Sequence, residues 1–269
     1  LITTDASVGI ALAPGDGLDL DQLLRNADLA LYGAKGDGRR TYRFFEAGMD
    51  ERARARRGLE LELRQAISDG GLEVYYQPVI AIEGGSIEDG KVSCCEALLR
   101  WRHPERGVIS PAEFIPVAEE TGLIVAIGEW TLRTAAAHHR AWRDAGLDVP
   151  RIAVNLSARQ LADERLPERI AQLIAESGGT DAQWLEIEIT ESVLMRNLGQ
   201  SSALLRRFKA MGVRIAVDDF GTGYSSLSYL TRLPIDCVKI DRSFIRDVPG
   251  NEDATAIVRA IVALAHSLR

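Results

Sequence analysis

The chain has 269 residues, 46% of them apolar, enough for one large domain or for one medium domain and a piece of a second. A formal net charge of −7 argues against a general binder of DNA, RNA or a membrane surface, and leaves room for a local basic pocket. Three cysteines, Cys94, Cys95 and Cys237, make neither a disulfide framework nor paired zinc-type spacings, and they fit a reducing, cytosolic setting.

In chain order, Ala6 to Leu12 reads as a short apolar strand and Pro14-Gly15-Asp16-Gly17 as a turn. Leu20, Leu23, Leu24, Ala27 and Leu31 recur at helical spacing, with Asp19 or Asp21 at the N-cap. Gly36-Asp37-Gly38 ends that helix, and Thr41 to Phe45 is a second strand. A strand–helix–strand piece of about 45 residues is too small to hold its own core. Residues 1–46 therefore read as the tail of a larger domain. Ala47 to Ser68 is charged and helix-prone. Its first part, 47–58, is a linker helix whose Arg52, Arg54, Arg56 and Arg57 face solvent in preference to a nucleotide. Leu59, Leu61, Leu63 and Ile67 dock on the strands and helices C-terminal to them.

Leu72 to Ile82 and Val92 to Trp101 are strands joined by a polar, glycine-containing loop, Glu83 to Gly90. A helix over Pro111 to Glu120 has Ser110 as cap and Pro111 at its first position. A second helix runs from about Leu123 to Ala145. Strands and helices then alternate: strand Ile152 to Asn155, helix Pro167 to Glu176, strand Leu185 to Ile189, helix Leu198 to Met211, strand Val213 to Val217, a short helix near Ser226, strand Cys237 to Ile240 and helix Asp253 to Leu268. Repeated βα units imply a parallel sheet, open or closed. No apolar run approaches the roughly 20 residues needed to span a bilayer. No signal-peptide pattern appears, and the start at Leu1 without Met reads as part of a longer protein.

The strand ends carry the chemistry. Val213 to Val217 runs into Asp218-Asp219 and then Phe220-Gly221-Thr222-Gly223-Tyr224-Ser225-Ser226. Adjacent acids before glycine are also ordinary turn chemistry. Other strands end in Glu96, Asn155, Glu188 and Lys239. A carboxylate beside an apolar strand needs a partner, commonly a cation. Five oxygen-bearing side chains and one lysine from successive strands, presented where an α/β barrel opens, point to a hard divalent ion, Mg²⁺ or Mn²⁺, rather than zinc.

These residues also carry two resemblances. Ser7-Val8-Gly9-Ile10-Ala11, Leu23 through Tyr32 and Ala34-Lys35-Gly36-Asp37-Gly38-Arg39 resemble the C-terminal third of a GGDEF (diguanylate cyclase) domain, without its signature, so cyclase activity is not expected of this chain. Glu96-Ala97-Leu98-Leu99-Arg100-Trp101, Phe114 through Glu119, Asn155-Leu156-Ser157, Glu188-Ile189-Thr190-Glu191, Asp218 through Ser226 and Lys239-Ile240-Asp241 resemble, in order, the blocks of the EAL family, over residues 59–269. That resemblance implies an α/β fold, a modified TIM (β/α) barrel with its first strand antiparallel. It implies hydrolysis of cyclic di-GMP to linear pGpG by a two-divalent-metal mechanism in a bacterial second-messenger signalling protein. Glu96, Asn155, Glu188 and Asp218 would hold one metal, and Asp218 and Asp219 would border the second. Lys239 would orient or deprotonate the attacking water. Arg100 would contact a substrate phosphate, and Gln77 the nucleotide. Glu191 would hold the loop containing Phe220, Gly221, Thr222 and Gly223. A homodimer through the EAL domain, an upstream sensory domain and a cytoplasmic setting, with membrane attachment through other segments of the full protein, complete the expectation.

The six strands from Leu72 onward fall short of what a closed barrel needs. The later glutamate block of the family does not occur in these residues. The sequence expectation is therefore a C-terminally incomplete barrel, inactive or nearly so on its own. The alternatives are a non-catalytic cyclic di-GMP receptor or an inactive fragment.

Overall fold

Local sequence chemistry places most of the elements. The computed structural model describes residues 5–36, 40–82, 91–147, 151–176, 182–196, 198–222 and 233–267. They fall into two units, Leu1–Gln65 and Ala66–Arg269.

In the first unit, β1 (Val8–Ile10) pairs in parallel with β2 (Tyr42–Phe44), and α1 (Leu20–Gly36) makes the crossover. Asp19 is the working cap: its Oδ1 accepts from Gln22 N at 2.8 Å. Gly9 lets the strand lie against α1, since a Cβ there would sit 2.0 Å from the Ala27 carbonyl oxygen. Leu18, Leu20, Leu24, Tyr42 and Phe44 remain exposed. α2 (Met49–Asp69) begins in this unit and ends in the next. Its Arg54 pairs with Asp50, and Arg64 with Glu60 at 3.0 Å, one helical turn apart on exposed faces. Such pairs contribute a few tenths of a kcal/mol each.

The second unit is built on one sheet. β3 (Leu72–Ile80) runs antiparallel to β4 (Val92–His103), and β5 (Gly107–Ile109) folds back on β4 as a hairpin. β6 (Ile152–Asn155), β7 (Leu185–Thr190), β8 (Arg214–Phe220) and β9 (Cys237–Ile240) then add in parallel, in the order β3-β4-β6-β7-β8-β9. An antiparallel first strand is thus present. Among the described residues the strand order is an open path, with no pairing between β3 and β9.

The intervening helices are α3 (Pro111–Thr121), α4 (Leu123–Asp144), α5 (Ala158–Leu161), α6 (Leu166–Glu176), α7 (Glu191–Arg196), α8 (Leu198–Ala210), α9 (Arg242–Ile245) and α10 (Glu252–Ser267). Ser110 caps α3, its side chain accepting from Ala112 N at 3.3 Å. Among the described residues, no helix is long and apolar enough to cross a membrane.

Alternation along the strands sorts side chains to two faces. Ile152, Val154, Leu185, Ile187, Ile189, Ile215 and Val217 belong to one buried cluster with Leu132, Ile170, Leu173, Leu205 and Phe208 of the helices. The opposite face carries the even-numbered residues of β4, of β7 and of β8 as far as Asp218, and the odd-numbered residues of β6 and β9.

Several sequence expectations need correction. β8 does not end at Val217 but runs through both aspartates to Phe220. Val217 pairs with Val238 and Phe220 with Ile240, so Asp218 and Asp219 together face one residue of β9. This is a β-bulge, and Asp219 takes the left-handed conformation, φ 52°. The extra residue returns Phe220, 3% exposed, to the side of Val217 and into the core cluster. Short elements without a strong period, β5, α5, α7 and α9, were not legible as separate pieces. The predicted Glu83–Gly90 loop and the helix near Ser226 lie outside the described residues.

Candidate functional site

Glu96 on β4, Asn155 on β6, Glu188 on β7, Asp218 on β8 and Lys239 on β9 share the face opposite the helix-packed core. Asn155, Glu188, Asp218 and Lys239 lie at or near the C-terminal ends of their strands, whereas Glu96 lies inside the long β4, not at its end as expected from the sequence. Asn155 is the register partner of Glu188, and Thr190 that of Asp218.

Their side chains converge on one ammonium. Lys239 Nζ lies 2.7 Å from Glu188 Oε2, 2.9 Å from Glu96 Oε2 and 3.5 Å from Asp218 Oδ1. Asn155 Nδ2 donates to the other Glu96 oxygen at 3.1 Å. Glu188 is 2% exposed. Burial pushes its carboxyl up to about 7 against the pull of Lys239, with Glu96 and Asp218 adding to the rise. Burial opposes the charge of Lys239, but the carboxylates outweigh it and hold its pKa above the usual lysine range. The Asp219 carboxyl is also raised, by burial first and then by Asp218 and by Asp241, with which it shares a hydrogen bond.

The donor set fits a hard cation. Glu96, Glu188, Asp218 and Asp219 bring four carboxyl groups to a neighbourhood where the structure places one lysine, and Asn155 adds an amide oxygen. In this conformation Lys239 holds the central position. Among the described residues, no three His, Cys, Asp or Glu side chains are arranged to enclose a metal ion.

The EAL domain family profile matches residues 60–269. The chain belongs to the EAL-domain family. It is 44% identical over 263 residues to the cyclic di-GMP phosphodiesterase NbdA of Pseudomonas aeruginosa, covering 98% of this chain and 33% of that protein. It is 45% identical over 267 residues to the bifunctional diguanylate cyclase/cyclic di-GMP phosphodiesterase MucR of the same organism, covering 99% of this chain and 38% of that protein. The chain thus spans about a third of the length of these relatives. Among solved structures it resembles the PaMucR phosphodiesterase in complex with c-di-GMP, with a TM-score of 0.72 and 46% identity over 78% of this chain and 83% of that one.

The other predicted residues of this EAL domain take distinct places. Gln77 is the register partner of Glu96 on β3, is exposed, and so lies on the same face. Arg100, four residues from Glu96, donates from Nη1 to the Leu99 carbonyl at 2.9 Å and stands 5.7 Å from the centre of the Tyr75 ring. Neither residue is brought into the Lys239 cluster by a described hydrogen bond. Glu191, 1% exposed, accepts from Gly221 N at 2.8 Å through Oε2. Thr222 Oγ1 donates to the Asp219 carbonyl at 2.9 Å. Phe220 is buried in the core, and Gly223 lies outside the described residues.

Two neighbours of the site were not singled out from sequence. Asp241 caps α9, its Oδ1 accepting from Ser243 N at 2.9 Å, while its carboxylate meets Asp219. An Asp immediately before a helical stretch was the readable signal. Glu186 shares the face of Glu188 and is buried beneath it, 3.3 Å from Arg214 Nε and 3.7 Å from Arg151 Nε. The alternation Glu186-Ile187-Glu188 was its signal, and a structural ion pair is its use.

Proposed function

We propose that this EAL domain hydrolyses cyclic di-GMP to linear pGpG with two divalent cations, Mg²⁺ or Mn²⁺, within a bacterial second-messenger signalling protein. The observation that carries the reading is the convergence of Glu96, Glu188 and Asp218, with Asn155, on Lys239 on one face of the sheet. Relatives named as cyclic di-GMP phosphodiesterases, at 44% and 45% identity over nearly the whole chain, support the substrate.

Glu96, Asn155, Glu188 and Asp218 would hold one ion, and Asp218 with Asp219 would border the other. Divalent ions supply charge neutralisation at a phosphodiester and a lowered pKa for the attacking water. In the hydrolysis a water oxygen joins phosphorus as one ester P–O bond breaks. Lys239 would orient or deprotonate the attacking water, and as an ammonium it would offset phosphoryl charge. Arg100 and Gln77, on the neighbouring antiparallel pair, suit substrate contact, Arg100 by its planar fork of donors.

We also propose that residues 1–46 are the end of a GGDEF domain. Their parallel strand–helix–strand crossover supports this, as does continuous similarity to the bifunctional MucR.

The test is incubation of the full-length protein with cyclic di-GMP and Mg²⁺ and a search for pGpG by chromatography. Product should form, and Glu96→Ala should lower the rate by about a hundredfold or more, since a lost metal ligand removes several kcal/mol of transition-state stabilisation. Unchanged turnover in the variant, or no product from the wild type, would overturn the reading. Tight binding without turnover would point to a receptor.

A further inference from the structure

The segment that presents Asn155 is held by contacts far from the acids. After β6, Leu156 N still donates to the Glu188 carbonyl at 2.9 Å, and Ser157 then caps the one-turn helix α5. The side chain of Gln160, 4% exposed, closes this turn. Its Oε1 accepts from Ser157 N at 3.1 Å and from Ser157 Oγ at 2.9 Å, and its own backbone N donates to Ser157 Oγ at 3.4 Å. A buried amide with its acceptor fully engaged fixes the backbone it grips.

The other end of the Gln160 amide enters a slot in α4. A Cβ at Gly128, a buried residue inside that helix, would lie 1.8 Å from Gln160 Nε2. Glycine inside a helix costs about 0.5–1 kcal/mol relative to alanine. The slot therefore exists at a cost to α4 that its occupant offsets. Arg159, one residue earlier, ties the same turn to α3, its Nη1 donating to the Glu119 carbonyl at 2.9 Å and the Glu120 carbonyl at 3.1 Å. A line of contacts thus runs from Gly128 through Gln160 and Ser157 to Asn155, and from Asn155 Nδ2 to Glu96 at 3.1 Å.

We infer that Gln160, seated in the Gly128 slot, is a positioning residue that sets the orientation of Asn155 and through it the affinity of the acidic site for a divalent cation. The inference rests on the metal-binding part of the function proposed above. Gln160 touches none of the acids and acts through the backbone of Ser157.

Mn²⁺ binding to the purified chain, followed by isothermal titration calorimetry, tests this without reference to turnover. Gln160→Met keeps the volume and removes the acceptor. It should weaken Mn²⁺ binding about tenfold, as loss of a residue that orients a metal ligand does. Gln160→Glu keeps an Oε1 acceptor for Ser157 and should bind Mn²⁺ within about twofold of wild type, which a merely space-filling role does not require. Ser157→Ala, which removes the hydroxyl partner, should also weaken binding and serves if Gln160→Met does not fold. Glu96→Ala is the control. If Glu96→Ala abolishes Mn²⁺ binding while folded Gln160→Met and Ser157→Ala bind as wild type, the positioning role is overturned. If Glu96→Ala itself binds Mn²⁺ unchanged, the metal-site reading fails first.

Discussion

Lys239 is the residue at which burial and charge oppose each other most directly. Its ammonium lies 2.7 Å from Glu188 and 2.9 Å from Glu96, while Glu188 is 2% exposed. Removing one partner of a buried pair leaves a charge that cannot be solvated. Lys239→Met should therefore lower stability by about 3 kcal/mol, measured by urea unfolding in the presence of a chelator. An unchanged midpoint would show that the pair carries no net stability. The ion pair itself was not legible from sequence. Strand ends bearing acids and a lysine were visible one at a time, but that Lys239 would lie among three of the acids depends on strand order and register, which sequence spacing does not state.

At the scale of elements, the bulge in β8 decides what the adjacent aspartates can do. On a regular strand, Asp218 and Asp219 would point to opposite faces, and one would enter the apolar cluster. The bulge lets Val217 and Phe220 share the core face with two acids between them. It does so by holding Asp219 at φ 52°, a conformation that costs a non-glycine residue about 1–2 kcal/mol. Stability at position 219 should then rank Gly at or above Asp, Asn close to Asp, and Val lowest by about 2 kcal/mol or more, read from denaturation midpoints. A Val variant as stable as Asp would argue against the left-handed conformation. The sequence did carry a trace of the bulge. Apolar residues fall at 213, 215 and 217 and then at 220, a step of three where alternation asks for two. The expectation that the strand stopped at Val217 overlooked that step.

At the scale of the whole chain, burial is unevenly shared. In the first unit, the buried apolar side chains within α1 are Ala30 and Ala34. Within β6, β7 and β8, Ile152, Ile187, Ile189, Ile215 and Val217 are all at most 1% exposed. Opening a segment costs the free energy of the contacts it breaks. Native-state hydrogen exchange should place the amides of β6 to β8 in the slowest class and those of β1, α1 and β2 several orders of magnitude faster. Equal protection in the two sets would contradict this distribution of the core.

The sequence by itself determined where most of the longer strands and helices fall along the chain, the membership in the EAL family and most of the acids, because alternation, capping residues and local motifs are properties of short stretches. Only the tertiary structure decided that Lys239 sits between Glu96, Glu188 and Asp218, that Gly128 makes space for Gln160, and that Glu186 answers to Arg214 rather than to the site above it. Each of these joins residues far apart in sequence, from 21 positions for Asp218 and Lys239 to 143 for Glu96 and Lys239. Such a pairing follows from register and packing, since a one-residue slip in any strand would turn its side chain to the other face.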